Sequence, residues 1–256
     1  KQRLTNKGNW EKSGEYAGSS RWSPDGKQIV YDWSSNEETP QIRIIGLDGS
    51  KPRVLYNNKE NYNVATYDWS PDGKQILACI TGKKGPTQII LVSVTDGSIR
   101  VLKTLDKRAL KDHYYPNDRM CFSPDGLNIV YDIPKNNDYF LDRDIKLLSI
   151  DSSQEIPLVE HPANDSVLGW TPDGNFLFTS NRRNNTWDTW VIHFSHGKPI
   201  GAPKLFRQNY VGSAAGFSQN GSLYFFKNET ETDVFIAELD PTTGKLLAPA
   251  KKVISR

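Results

Sequence analysis

At 256 residues, with 24% charged and 36% hydrophobic, the chain can bury a sizeable core and has the balance of an ordinary globular domain. The formal charge of +2 comes from scattered basic residues, and pairs such as Lys83-Lys84 and Arg182-Arg183 read as solvated loop charges, so nucleic acid is not expected as a partner. Nothing approaches the roughly 18 continuous apolar residues of a membrane helix, so no membrane span is expected in this chain.

From the amino end, Lys1 to Asn6 (KQRLTN) reads as an outer strand, like the later KPRVLYN. Ser19 to Ser23 is a short strand carrying the bulky Trp22. Pro24 then presets the backbone for a tight turn, Asp25 can accept from a downstream amide, and Gly26 tolerates a positive φ. Lys27 to Trp33 (KQIVYDW) is β-branched and aromatic, and returns antiparallel. After the polar loop Ser34 to Pro40, Gln41 to Leu47 forms a third strand and Asp48-Gly49 marks a hairpin. Lys51 to Tyr56 closes the unit as an outer strand, where Pro52 is tolerated because an edge has a free side.

The same order follows four more times. Second strands are KQILACI, LNIVYDI, NFLFTSN and SLYFFKN; third strands run over Gln88 to Val94, Asp144 to Ile150, Thr189 to Phe194 and Val234 to Leu239. Outer strands follow at Ile99 to Leu105, Glu155 to Glu160, Ala202 to Phe206 and Lys251 to Ser255. The best helix candidate, Leu105 to Lys111, is too short to alter the fold class. Cys79 and Cys121 sit in apolar strand-like runs and read first as buried free thiols, second as a disulfide between neighbouring units.

Each unit opens on one motif: an aromatic, a hydroxyl residue, a turn and an apolar run. The hydroxyl residues are Ser23, Ser70, Ser123, Thr171 and Ser218, at spacings of 47, 53, 48 and 47. A period in the forties with four short strands per period selects an all-β propeller of four-stranded antiparallel blades, with five repeats visible and a ring of five or six blades. The expected organisation is one domain over 1–256, with blades near 17–56, 63–105, 116–160, 165–206 and 211–255, and 1–6 as an outer strand for ring closure. Trp22, Trp69, Phe122, Trp170 and Phe217 are expected to fill the wedges between blades. The recurring turn aspartates are structural, not paired catalytic acids.

WSPDGKQIVYDW and WSPDGKQILACI, with SNRRNNTWDTWVI further on, resemble the TolB-like propellers, built of WD-type repeats with a Ser-Pro-Asp-Gly-Lys core. The resemblance covers essentially the whole chain and is specific for fold rather than role. It implies a β-propeller, six-bladed in the family's periplasmic namesake, serving as a protein-binding platform. Related repeats form the propellers of prolyl-oligopeptidase-type peptidases and of a few polysaccharide lyases. Five inner strands against six outer-strand candidates do not close neatly. The favoured expectation is that Lys1 to Asn6 belongs to a sixth blade of a longer parent, and the other is a five-bladed ring with one terminal segment as a cap.

The strand order sends the Ser-Pro-Asp-Gly turns to one face and the longer, irregular loops to the other, which suits that second face for binding. Aromatics and arginines are the usual anchors of protein interfaces and of sugar platforms. The candidate binding residues are Trp10, Tyr62 and Tyr210, His113 with Tyr114 and Tyr115, and His161, Arg182 and Trp187. No catalytic residue is assigned: a Gly-x-Ser-x-Gly elbow is absent, and Gly18-Ser19-Ser20 and Gly212-Ser213 show no recognisable His or Asp partner.

No metal site is assigned either. His193 and His196, three apart in a strand, point to opposite faces. A meeting of His113 and His161 with Asp112 or Asp165 is a minor option, and Asp138, Asp142 and Asp144 read as a solvated loop before a calcium site. No cofactor is expected. The leading expectation is a non-enzymatic propeller that binds a protein partner in a bacterial envelope, periplasmic or secreted. Alternatives are a carbohydrate-binding or lyase-like propeller, and an accessory domain of a larger peptidase or sensor.

Overall fold

Each motif builds the same hairpin from the same bonds. Ser23 Oγ donates to Asp25 Oδ1 at 2.6 Å and accepts from the Gln28 amide at 2.9 Å, while Gly26, at φ 70°, donates to the Ser23 carbonyl. Ser70 does the same with Asp72 and Gln75, and Ser123 with Asp125 and Asn128. The fourth copy is one residue tighter: Thr171 Oγ1 accepts from the amide of Asn175, four positions on rather than five. The short polar side chain thus replaces the backbone ladder where the hairpin turns.

The structure is a computed structural model describing residues 11, 14–36, 38–105, 119–134, 143–209, 213–217, 222–226 and 233–255. Its strands are β1 (Tyr16–Trp22), β2 (Gln28–Ser34), β3 (Gln41–Gly46) and β4 (Arg53–Asn57), which form blade 1. Blade 2 comprises β5 (Asn61–Trp69), β6 (Gln75–Gly82), β7 (Thr87–Ser93) and β8 (Ile99–Leu105). Blade 3 comprises β9 (Met120–Phe122), β10 (Asn128–Pro134), β11 (Arg143–Ser149) and β12 (Glu155–Val159). Blade 4 comprises β13 (Asp165–Trp170), β14 (Phe176–Arg183), β15 (Thr186–Ser195) and β16 (Lys198–Arg207). Every strand in these blades pairs antiparallel with its sequence neighbour, as the turns require.

The chain divides into two compact units at Phe225 and Phe226. In the first, β17 (Ser213–Phe217) pairs with β18 (Leu223–Phe226); β1 lies beside β5, β5 beside β9, and β13 beside β10 and β11 of blade 3 and beside β17. In the second, β19 (Asp233–Ile236) pairs with β20 (Lys251–Ser255), with a bridge from Leu239 to Leu246. Lys1 to Asn6 and residues 106–111 lie outside the described residues.

The core follows from the two-residue period of a strand, which sends alternate side chains to opposite blade faces. Val30, Ile42 and Ile44 of blade 1 meet Val64, Ile76 and Ala78 of blade 2. Leu77, Cys79 and Ile89, on the other face, meet Phe122, Ile129 and Tyr131 of blade 3. Val130, Ile145 and Leu147 then meet Val167, Phe176 and Phe178 of blade 4. Both cysteines are free thiols, and Cys79 Sγ lies 3.9 Å from Met120 Sδ.

Wedge filling by the motif aromatics holds for Trp69 and Phe122, both buried, and for the partly buried Trp170, which packs on Phe194 edge-on at 4.7 Å. Trp69 also donates from Nε1 to the Arg21 carbonyl of the preceding blade, at 3.1 Å. Trp22 differs, being 61% exposed on the face of β1 that points away from blade 2. The side chain of Phe217 lies outside the description.

Candidate functional site

The strand order places the β2–β3, β6–β7 and β14–β15 connections on one face, with the β4–β5 and β12–β13 connections. On blade 2 two of these loops are tied directly, the Lys83 amide donating to the Glu60 carbonyl at 2.8 Å. The opposite face carries the motif turns, where a Cβ on Gly126 would lie 3.5 Å from Pro71 of the preceding turn. The irregular loops therefore gather where the sequence places them.

The best-ordered polar constellation on that face spans blades 3 and 4. Asp165, fully buried at the start of β13, accepts from Arg182 Nη2 through Oδ1 at 2.8 Å. Its Oδ2 has no hydrogen-bond partner. Burial pushes the Asp165 carboxyl above the usual carboxylate range, against the opposing pull of Ser180, Arg182 and the charge of His161. Arg182 is fixed from several sides: Nε donates to Ser180 Oγ at 2.8 Å, and the guanidinium lies over Phe178 and Trp190 at 5.0 and 4.9 Å. The planar guanidinium suits that stacked, forked environment better than an ammonium would.

Beyond Arg182 the chain makes a two-residue hairpin. Asn184 and Asn185 both adopt positive φ, 51° and 58°, as a tight primed turn requires, and Arg183 pairs with Thr186 across it. Arg183 grips Asp188 with two bonds, Nε to Oδ2 at 2.7 Å and Nη2 to Oδ1 at 3.1 Å. These donors, with the Asn209 amide, hold Asp188 below the ordinary carboxylate range. Trp187 sits between the turn and that pair and is 37% exposed.

Asparagines stitch the hairpin to blade 3. The Asn164 amide donates to Asn181 Oδ1 at 2.9 Å, and Asn164 Oδ1 accepts from the Arg143 amide at 3.3 Å. Arg143 in turn clamps Asp132, with Nε to Oδ1 at 2.9 Å and a second bond from Nη2, and both side chains are buried. The result is a surface tied by three carboxylate–arginine pairs, with the aromatic Trp187 partly exposed beside them.

Of the residues singled out from the sequence, His161 and Arg182 meet here through Asp165, and Trp187 stands on the adjoining hairpin. His161 Nδ1 accepts from the Ala163 amide at 3.0 Å, and its own amide donates to Asp144 at 3.4 Å. Tyr62 is 42% exposed but belongs to β5 of blade 2, apart from this set. Trp10, His113, Tyr114, Tyr115 and Tyr210 lie outside the described residues, as do Asp138 and Asp142. His193 and His196 have separate partners, Asn175 and Ser195. Among the described residues no group of three His, Cys, Asp or Glu is placed to hold a metal ion.

Sequence reasoning missed Asp132, Arg143 and the Arg183–Asp188 grip. A signal existed for the first: Asp132 stands nine residues after its motif serine, as Asp32 does after Ser23.

No protein-family model and no curated protein sequence matches the chain. Solved structures do. TolB from Acinetobacter baumannii aligns with a TM-score of 0.60 at 19% identity, over 86% of this chain and 52% of its own, so the chain spans about half of that protein's length. A putative TolB from Agrobacterium tumefaciens aligns at 0.58 and 19% identity, over 94% of this chain and 81% of its own. The β-propeller domain of the trilobed protease from Pyrococcus furiosus, described as having an open velcro topology, aligns at 0.52 and 15% identity, over 84% and 69%. At these identities the likeness is one of fold, and the fold is that of the TolB-like β-propeller expected from the repeats.

Proposed function

We propose that this TolB-like propeller is a non-enzymatic protein-binding platform that engages its partner through the irregular-loop face, in a bacterial envelope or secreted setting. The observation carrying the reading is Trp187, 37% exposed on a hairpin held by its Asn184-Asn185 turn and by the two-bond Arg183–Asp188 grip. A large aromatic on a rigid support loses little conformational freedom on binding, which is why such residues dominate interface energetics. The closed arginine–carboxylate pairs around it keep the surface shaped. The setting rests on the resemblance of the repeats.

The test compares wild type with Trp187→Ala, which leaves the buried pairs in place. Immobilised protein is presented with envelope extract and with an oligosaccharide panel. Retention of a protein by wild type, weakened roughly 30-fold by Trp187→Ala, supports the platform, since a central aromatic carries about 2 kcal/mol or more. Retention of an oligosaccharide, lost in the same variant, replaces it with the sugar-binding alternative.

A further inference from the structure

The three junctions joining blades 1 to 4 are each clipped by a carboxylate of one blade accepting a backbone amide from the next inner strand. Asp32 Oδ1 accepts from the Thr66 amide, and from Thr66 Oγ1, at 3.4 Å. Asp68 Oδ2 accepts from the Phe122 amide at 2.9 Å, and Asp132 Oδ2 from the Val167 amide at 2.9 Å and Ser166 Oγ at 3.0 Å. The clips do not share one origin. Asp32 and Asp132 occupy the same repeat position on β2 and β10, where β6 carries Cys79 instead. At that junction the inner strand supplies the carboxylate, from Asp68.

The three clips differ in how their charge is met. Asp132 is bonded directly by Arg143, which opposes the upward push that burial gives its carboxyl. Among the described residues Asp32 and Asp68 have no such bonded cation. The charge acting on both is Arg21 of β1, whose Nε is committed to the Tyr67 carbonyl at 2.7 Å. Cys121 of β9 is a further titratable group facing this set among the described residues; burial and then the charge of Asp68 disfavour its thiolate, and Arg119 acts in the opposite direction. Asp32 is hemmed in by β1 as well, since a Cβ on Gly18 would stand 1.9 Å from its Oδ2. The buried Asp32 and the half-buried Asp68 therefore share one guanidinium, and withdrawing both charges from water is costly.

We propose that the junctions joining blades 1, 2 and 3 form an acid-strengthened clasp, in which Asp32 and Asp68 take up protons in the folded protein as the pH falls from neutral towards 5. A neutral carboxyl keeps a carbonyl oxygen to accept the neighbouring blade's amide, Asp68 giving up in exchange the bond its other oxygen accepts from the Trp69 amide at 2.9 Å, and no longer sets a second negative charge competing for Arg21. Burial pushes both carboxyls up to about 6 from an ordinary 3.8. A carboxyl raised in the folded state disfavours folding when ionised. Its contribution therefore turns in favour of the fold as pH drops below about 6, and is complete near the unfolded value.

The experiment follows urea unfolding of the full chain at pH 7.5 and 5.0 for wild type, Asp32→Asn and Asp72→Asn. Asp72, in a motif turn, is held low by Ser70 and the Lys74 amide, so it serves as a control that stays ionised over this range. The folding constant of wild type relative to Asp32→Asn is expected to rise about tenfold between pH 7.5 and 5.0, and relative to Asp72→Asn to stay level. A ratio to Asp32→Asn that does not change with pH overturns the proposal. Should Asp32→Asn fail to fold, carboxyl-carbon NMR titration of wild type decides: midpoints near 6 for Asp32 and Asp68 support the clasp, and midpoints below about 4.5 overturn it.

Discussion

Arg53 of β4 donates from Nη2 to the carbonyl of Val94 in blade 2 at 2.6 Å, and Arg100 of β8 repeats the contact one blade on, with the carbonyl of Ile150 at 2.5 Å. The two arginines stand thirty residues after their own motif serines, Ser23 and Ser70, so the repeat carries an outer clasp as well as the inner carboxylate clips. Replacing either arginine with alanine should lower stability by about 1 kcal/mol, the scale of a charged hydrogen bond discounted for exposure. The double variant should show the sum, because the sites share no partner. Urea unfolding of the two single variants and the double variant reads this, and a strongly sub-additive double would mean that the clasps are coupled.

The Asp132–Arg143 pair makes an asymmetric prediction. Arg143→Met strands a buried carboxylate and should cost about 3–5 kcal/mol. Asp132→Leu combined with Arg143→Met removes both charges, leaves the Val167 amide and the Ser166 hydroxyl without their carboxylate acceptor, and should recover much of that loss. Chemical denaturation at neutral pH measures both, and a double variant as weak as Arg143→Met would show that the amide clip outweighs the charge pair.

Two glycines of positive φ should respond differently to alanine. Gly97 (φ 74°) has the Leu55 carbonyl oxygen of blade 1 only 2.1 Å from where a Cβ would stand, whereas Gly26 (φ 70°) has nothing within 4 Å. Gly26→Ala should cost about 1 kcal/mol from the backbone conformation alone. Gly97→Ala must also displace a neighbouring blade and should cost clearly more. The two thermal midpoints, compared directly, test the tightness of the blade 1–2 contact.

The hairpin bearing Trp187 should loosen in acid. Arg183 holds Asp188 below the ordinary carboxylate range, so its contribution is present above the unfolded value of 3.8 and lost as the pH falls through the lower folded value. The stability advantage of wild type over Asp188→Asn should therefore be constant from pH 7 to about 5 and shrink below 4. Its direction is opposite to that expected for Asp32, which makes the two variants a matched pair.

Much of the architecture was legible because its causes are local. Ser23, Asp25, Gly26 and Gln28 bond within a span of six residues, and the alternation in KQIVYDW already assigns Val30 and Tyr31 to opposite faces. The shortened fourth turn was equally visible as Thr171-Pro-Asp-Gly-Asn, where the first copy reads Ser23-Pro-Asp-Gly-Lys-Gln. The site was legible only in part. Trp187 and Arg182 stood out by residue type, but the grip of Arg183 on Asp188 depends on how the hairpin folds back, and Asp165 meets Arg182 seventeen positions away.

By itself the chain determined the repeated hairpin, the two faces of each strand, and hence a propeller, because turn chemistry and a two-residue period act over a few neighbours. The tertiary structure decided which carboxylate clips each junction and which charges are left sharing a partner. Asp32 reaches Thr66 across 34 residues and Asp68 reaches Phe122 across 54, distances over which no local preference operates. It also decided that Trp22, identical in motif to Trp69, is exposed while Trp69 is buried against blade 1.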